Sequence, residues 1–179
     1  MIPIRLIISI SVIAAISIMF SIGFFSFGVT FSENDVDSQI NYLLSNLDTM
    51  TASGFARDIY EPDCSDGTKR IISFDLPENV MYLSFGCDPD VDNNGILESD
   101  LMNEGNVIFY RVSNGNKKVF WLDSEIRFRE GKLEDGKWVI NSPDQGFIIK
   151  NGGKTSIVFE LVERFNEKYV LIQANDNID

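Results

Sequence analysis

Residues 6–32 contain no Asp, Glu, Lys or Arg, and this uncharged segment limits the folds open to the chain more than any other feature. Arg5 precedes it and Glu33 follows it. Its polar side chains are small hydroxyls, which can donate hydrogen bonds back to helix carbonyls. As a helix the segment would be ~40 Å long, against a membrane hydrocarbon core of ~30 Å. We therefore predict a transmembrane helix in residues 1–32.

Two other interpretations of this segment stay open. A cleaved secretory signal has an apolar core of about 7–15 residues and a small-residue cleavage site, whereas this segment is longer and no Ala-x-Ala follows it. A buried core helix is the second alternative. For the transmembrane interpretation, Arg5 and the amino terminus predict a cytoplasmic N-terminus under the positive-inside rule. The protein would then be a single-pass cell-membrane protein with an extracellular C-terminal domain, or a subunit of a cell-surface filament.

A second helical pattern follows in residues 33–56. Apolar residues recur there at spacings of three and four, which is one face of a helix. They are Val36, Ile40, Leu43, Leu44, Leu47 and Met50. Gly54 is a suitable residue to end the helix. We predict an amphipathic extension of the first helix, with a separate surface helix as the alternative.

From residue 57 onward the period of the pattern changes from helix to strand. About nine short alternating segments lie between residues 69 and 174, and turn residues separate them. Asn114-Gly115, Asp135-Gly136 and Asn151-Gly152-Gly153 are typical of hairpin turns. These segments predict an antiparallel β-sandwich-like domain in residues 57–179. The predicted fold class is therefore α+β, a long N-terminal transmembrane and amphipathic helix followed by that domain.

Composition excludes several classes of function. The chain has no histidine, which removes Ser-His-Asp and Cys-His catalysis and every histidine-ligated metal site. Its net charge is -12, so it lacks the basic surface that nonspecific nucleic-acid binding requires. Neither a phosphate-binding loop nor a G-x-S-x-G motif occurs. We predict that the protein is not an enzyme and does not bind nucleic acid.

The two cysteines, Cys64 and Cys87, form a candidate disulfide on the side predicted to be extracellular. Cys64 lies in a loop before the predicted strand of residues 69–75, and Cys87 ends the next predicted strand. If these two strands are antiparallel neighbours, the loop and the strand end lie close together. Two free thiols, one of them buried, are the alternative.

An acidic segment in residues 88–100 has the first half of an EF-hand calcium loop. Its candidate ligands are Asp90, Asp92 and Asn94 at loop positions 1, 3 and 5, with Glu98 or Asp100 closing the shell. Gly95 stands at position 6, where the loop turns sharply. Position 12 is Leu101 rather than glutamate. Calcium is therefore a candidate ligand, and a solvated acidic loop rich in turn-forming residues is the alternative.

The chain resembles the archaeal type IV pilin-like proteins, a superfamily that includes pilins and archaellins. Two segments carry the resemblance, residues 2–9 (IPIRLIIS) and residues 74–86 (FDLPENVMYLSFG), together with the order of helix and β domain. It implies a structural subunit or minor pilin of a cell-surface filament, whose helix packs in the filament core or the membrane against copies of itself or other pilin-like subunits. The chain departs from that pattern, since only five residues precede the uncharged segment and no peptidase cleavage site can be assigned.

A membrane-anchored binding module is the alternative function. Such a module would resemble archaellum-stator proteins, and its β domain would dock on an envelope or surface-layer protein. Small residues in the first helix favour the filament, because they let neighbouring backbones approach closely. They are Ala14, Ala15, Ser17, Ser21, Gly23 and Gly28.

Overall fold

The computed structural model describes residues 4–61, 65–98, 103–122, 126–142 and 145–174. Its first element is helix α1, Ile4–Ser53. Gly54 ends the helix, and its N–H donates to the Met50 carbonyl oxygen at 2.8 Å. A Cβ atom at position 54 would lie 2.2 Å from that same oxygen. Glycine is therefore required where the chain turns away from the helix.

The rest of the described chain is mainly β. Its strands are β1 (Arg57–Asp58), β2 (Lys69–Leu76), β3 (Val80–Cys87), β4 (Asn103–Val112), β5 (Lys118–Trp121), β6 (Arg127–Glu134), β7 (Lys137–Ile140), β8 (Phe147–Lys150), β9 (Gly153–Arg164) and β10 (Glu167–Ala174). Sheet A has the order β1-β9-β10-β6-β7, and β2 also pairs with β9. Sheet B has the order β5-β4-β3-β8.

Helix α1 and both sheets share one hydrophobic core. The face of α1 formed by Val36, Ile40, Leu43, Leu47 and Met50 is at most 1% exposed. It belongs to the same apolar cluster as buried side chains of both sheets. In that cluster the Phe85 ring of sheet B meets two rings of sheet A, with centroids 5.5 Å away at Phe128 and 5.8 Å away at Phe159.

The predicted fold class is wrong in its helix and in its sheets. Among the described residues, no helix has both the length and the sustained apolar character that crossing a membrane requires. The predicted transmembrane helix, the membrane anchor and the localisation built on them are therefore wrong. The C-terminal half of α1 is a component of the β-rich core rather than a segment placed ahead of it. Sheet A is mixed rather than antiparallel, since β1–β9 and β6–β10 are parallel pairs.

Two predicted strand pairings are also wrong, because each connection passes from one sheet to the other. The predicted hairpin around Asn151 instead links β8, which pairs with β3 in sheet B, to β9 in sheet A. The turn between β2 and β3 makes a similar crossing. The two crossings are in contact, since a Cβ atom on Gly152 would lie 1.9 Å from the Pro77 carbonyl oxygen. This close approach explains the glycine better than a hairpin does.

A buried polar network links the strands of sheet A. Glu160 is 1% exposed and accepts hydrogen bonds from Arg57 Nε and Gly67 N, both at 2.9 Å. Its second oxygen accepts from Gln173 Nε2 at 2.7 Å. Arg57 also donates to the Trp138 carbonyl oxygen at 2.8 Å. Every charge in the network therefore has a partner, as buried charges require.

Replacing Glu160 with Gln should lower the free energy of unfolding by about 3–5 kcal/mol, because it leaves the Arg57 guanidinium buried without a countercharge. Urea unfolding monitored by circular dichroism measures the change. Glu163→Gln in the same strand is the matched control, and its effect should be much smaller. Equal losses in the two variants would show that the network does not stabilise the fold.

Candidate interaction surfaces

The N-terminal half of α1 exposes large apolar side chains on all its sides. Between 50% and 73% of each side chain is accessible. They are Ile8, Ile10, Val12, Ile13, Ile16, Ile18, Met19, Phe20, Phe27 and Phe31. At 100° per residue these positions point in every direction around the helix axis. A helix that is apolar all round is buried in its working state, so this half of α1 is a candidate packing surface.

Three hydroxyl groups on the apolar part of the helix donate hydrogen bonds within the helix. Ser17 Oγ donates to the Ile13 carbonyl and Ser21 Oγ to the Ser17 carbonyl, both at 2.9 Å. Ser32 Oγ donates to the Gly28 carbonyl at 3.0 Å. These hydroxyl groups therefore do not need water as a partner. In an apolar environment each of them would still have its hydrogen bond.

The two glycines on this half lie in open space. A Cβ atom built at Gly23 or at Gly28 meets no other atom within 4 Å. Within one chain, therefore, nothing requires a residue without a side chain at these positions. Close approach of a neighbouring helix is a physical reason for small residues there.

An ionic cluster fixes the helix where it leaves the core. The Tyr110 hydroxyl hydrogen-bonds the Asp37 carboxylate and lies 3.1 Å from the Glu33 carbonyl oxygen. Lys118 Nζ lies 2.9 Å from Asp37 and 3.3 Å from Glu33 carboxylate oxygens. We call these four residues the neck cluster. It joins α1 to β4 and β5 at the point where the apolar half of the helix begins.

Gln39 fastens the same part of the helix to the edge of sheet A. Its Nε2 donates to the Asp75 carbonyl, and the Asp75 N–H donates to Gln39 Oε1, both at 2.9 Å. The side-chain amide thus makes the pair of bonds that a neighbouring strand would make with β2. Together with the neck cluster, this pair sets the direction in which the apolar half of α1 projects.

The protonation states of the neck cluster suit this role. Burial raises the pKa of Tyr110, and the hydrogen bond to Asp37 raises it further, so the phenol remains a donor. Burial alone would lower the pKa of Lys118, but hydrogen bonds to Asp37 and Glu33 outweigh it and raise that pKa. The lysine therefore stays charged, and the cluster persists through the neutral pH range.

Replacing Tyr110 with Phe should lower the free energy of unfolding by about 1.5–3 kcal/mol, since a hydrogen bond to a charged group is lost. Chemical denaturation of the two proteins measures the difference. Tyr42→Phe is the matched control, because Tyr42 lies on α1 with 62% of its side chain exposed. A Tyr110→Phe protein as stable as Tyr42→Phe would contradict the role assigned to the neck cluster.

The acidic loop in residues 88–98 is closed by its own chain. Asp90 is 1% exposed, and its Oδ1 accepts from the Gly95 N–H at 3.0 Å. Its other oxygen forms an ion pair with Arg111. Lys117 Nζ pairs with Asp88 and also donates to the Asp90 carbonyl oxygen at 2.9 Å. Two protein cations thus occupy the positions that a calcium ion would take.

The predicted calcium site is therefore wrong. Among the described residues, no cluster of acidic and cysteine side chains could hold a metal ion. Asp92 and Glu98 are exposed, and Asn94 Oδ1 accepts from the Ile96 N–H at 2.7 Å. Asp100 lies outside the described residues. The loop is acidic because it binds Arg111 and Lys117, which come from a distant part of the chain.

Asp90 should make the protein sensitive to acid. Burial alone would raise the pKa of Asp90, but the Gly95 N–H and Arg111 outweigh it and lower the pKa below its ordinary value. The stabilisation is therefore present above the unfolded pKa of about 3.9 and is lost as the pH falls through the lower folded value. Between pH 7 and pH 3, the free energy of unfolding should fall less in Asp90→Asn than in the wild type. Asp92→Asn should behave as the wild type, and identical pH profiles for all three proteins would contradict this assignment.

The predicted disulfide stays a prediction. Cys64 lies outside the described residues, and the described residues contain no disulfide. Cys87 is buried at the end of β3, and a Cβ atom on Gly146 would lie 2.6 Å from its Sγ. The strand pairing that was expected to bring the two cysteines together is absent, since β2 and β3 belong to different sheets.

Sequence patterns missed the residues that hold these surfaces in place. Gln39 lies far along the chain from Tyr110 and Lys118, and the three residues match no motif. A signal existed in the adjacent Lys117 and Lys118, since two lysines after a hairpin turn in so acidic a chain are candidates for ion pairs. Each of them meets acidic residues, Lys117 in the loop and Lys118 on the helix.

The chain was also compared with known proteins. No family model matches it, and neither a curated protein nor a solved structure does.

Proposed function

We propose that the protein is a non-enzymatic structural subunit that assembles with copies of itself through the N-terminal half of α1. The helices would form the core of a filament, and the β-rich part would face outward. The observation that carries the proposal is the apolar surface around the whole circumference of this half of the helix. Burial of such a surface is the main favourable contribution to association in water.

The distribution of the apolar residues favours a core of several helices over a pair. A single neighbour covers one stripe of a helix, as in a two-stranded coiled coil. Met19, Phe20 and Ile18 point in different directions, and each is more than 60% exposed. Only neighbours on several sides would cover all of them at once.

The rest of the subunit suits an outward position. The neck cluster and Gln39 hold α1 at one angle to the sheets, so every subunit would present its helix in the same way. The net charge of -12 keeps the outer parts soluble and apart. A filament of the pilin-like kind would have this arrangement, and that relationship remains part of the proposal.

The test is a double substitution in the helix, Ser21→Leu with Gly23→Leu, in the full-length protein. Leucine favours helix more than serine or glycine does, and the space beside Gly23 is open in a single chain, so folding should be unaffected. In aqueous buffer, sedimentation velocity should show oligomers for the wild type and monomers for the variant. Electron microscopy of the wild type should show filaments.

Ser38→Leu is the matched control. Ser38 is exposed on the same helix and makes the same hydrogen bond, to the Asn34 carbonyl at 2.9 Å, but it lies in the half that packs on the sheets. This variant should assemble as the wild type does. A wild-type protein that stays monomeric in aqueous buffer would contradict the proposal and favour a binding module that works as a single chain.

A further inference from the structure

Two exposed rings and a half-buried arginine form an ordered cluster at the far end of the β-rich part. Arg164 Nε donates to the Tyr60 hydroxyl at 2.7 Å. The Arg164 guanidinium lies 5.6 Å from the Tyr60 ring centroid and 5.4 Å from that of Phe165. The two rings are 5.2 Å apart. We call these three residues the tip cluster, and they are arranged before any partner binds.

Phe165 occupies a turn position that suits it poorly. Phe165 and Asn166 connect β9 to β10, with φ angles of 53° and 65°. The other turns with a positive φ at a non-glycine residue place Asn or Asp there, namely Asn93, Asn114, Asp135 and Asn151 in the described part of the chain. A bulky residue with positive φ is strained, and Phe165 is 78% exposed, so packing within the chain offsets little of this strain. A contact with another molecule is a physical reason for a phenylalanine here.

Arg164 is available to a negatively charged partner. Among the described residues it forms no ion pair, although the chain has a net charge of -12. Its Nε is used by Tyr60, and the rings of Tyr60 and Phe165 lie beside it. The terminal amino groups can therefore bind a carboxylate, and the rings can cover apolar groups around it.

A groove with complementary chemistry lies where α1 leaves the core. We call it the neck groove; it is lined by Phe31, Asp35, Gln39, Ser73, Asp75, Leu76, Pro77 and Glu78. Asp35 and Glu78 are exposed, and within the described part of the chain neither has an ion-pair partner. Phe31 is 66% exposed. The groove thus offers free carboxylates beside an aromatic ring and a proline.

The tip cluster and the neck groove lie at opposite ends of the same strand. Gly153 at the start of β9 pairs with Leu76, which lines the groove. Arg164 ends β9, a strand of 12 residues. At about 3.3 Å per residue the two ends are ~36 Å apart. One copy therefore cannot join its own two surfaces, whereas two copies in line can.

We propose that the tip cluster of one copy docks into the neck groove of the next copy. Arg164 pairs with Asp35 or Glu78, and the rings of Tyr60 and Phe165 cover Phe31 and Pro77. Such a head-to-tail contact does not close on itself, so it extends an assembly. It also places a cation against the acidic surface of a like-charged neighbour. The inference rests on the proposed function, since a small contact between acidic domains needs the high local concentration that a shared helix core supplies.

The test compares Arg164→Glu with Lys168→Glu in the full-length protein. Both variants change the charge equally, and Lys168 is an exposed residue near the same turn. Sedimentation velocity and electron microscopy should show wild-type assemblies for Lys168→Glu. Assemblies of Arg164→Glu should be at least tenfold shorter than those of the wild type. The contacts between N-terminal helix halves should be retained.

Charge reversal identifies the partner surface. Adding Glu78→Arg or Asp35→Arg to the Arg164→Glu protein should restore long assemblies if that groove residue pairs with position 164, since the new carboxylate on the tip would then meet an arginine in the groove. Rescue by neither substitution would overturn the groove as the docking site. The single variant of the groove residue that pairs with Arg164 should assemble as poorly as Arg164→Glu does.

Phe165→Asn separates docking from folding. Asparagine suits the turn better than phenylalanine, so the variant should be at least as stable as the wild type in urea, yet it should form shorter assemblies. Wild-type assembly lengths in both Phe165→Asn and Arg164→Glu would overturn this contact and leave the helix-based assembly intact. A monomeric wild type would overturn both.

Discussion

The fold depends on the burial of one face of α1 against both sheets. Val36, Ile40, Leu43, Leu47 and Met50 fill the space that the inner side chains of sheet A and sheet B leave open. Burial of this face contributes about 25 cal/mol for each Å² of apolar surface removed from water. Helix α1 continues beyond the core. The contact that completes the core therefore also fixes the direction in which the exposed apolar N-terminal half of α1 projects.

Local sequence patterns predicted those parts of the structure that depend on local periodicity. The spacing of Val36, Ile40 and Leu43 identified the buried face of the helix, and Asn114 and Asp135 lie at tight turns between antiparallel strands. The pattern around Asn151 predicted a hairpin wrongly, because the same turn residues occur in hairpins and in crossings between sheets. What decides between them is the partner of each strand, and for β8 that is β3, more than sixty residues away. Parallel pairs such as β6–β10 leave no signal in a short segment of sequence.

Charge misled the sequence analysis in a similar way. The spacing of Asp90, Asp92 and Asn94 matches a calcium loop, but a sequence motif does not reveal which cation the carboxylates meet. In the folded protein Arg111 and Lys117 reach Asp90 and Asp88 from β4 and the turn beyond it. Fixed protein cations thus pair with Asp88 and Asp90, and Leu97 of the same loop packs against buried side chains of sheet B. The candidate surfaces differ in how far the sequence reveals them. The apolar segment could be recognised in the sequence, whereas the neck cluster and the tip cluster could be recognised only in the tertiary structure.

The distribution of charge explains how an exposed apolar half of α1 and an acidic β-rich part can occur in one chain. A net charge of -12 opposes nonspecific association of copies of the protein, so the proposed contacts between copies would form only where apolar burial or a placed cation outweighs this repulsion. The described half of α1 that projects from the core meets the first condition. Arg164 meets the second, since two contacting aromatic rings lie beside it and it has no acidic partner among the described residues. A strained turn such as that at Phe165 is tolerated only if the core supplies stability elsewhere. The fully partnered Glu160 network lies on the same strand, β9, and stabilises the end from which Phe165 projects. Strand β9 thus links the two surfaces that the proposed assembly would use, and its length would set the spacing between successive contacts.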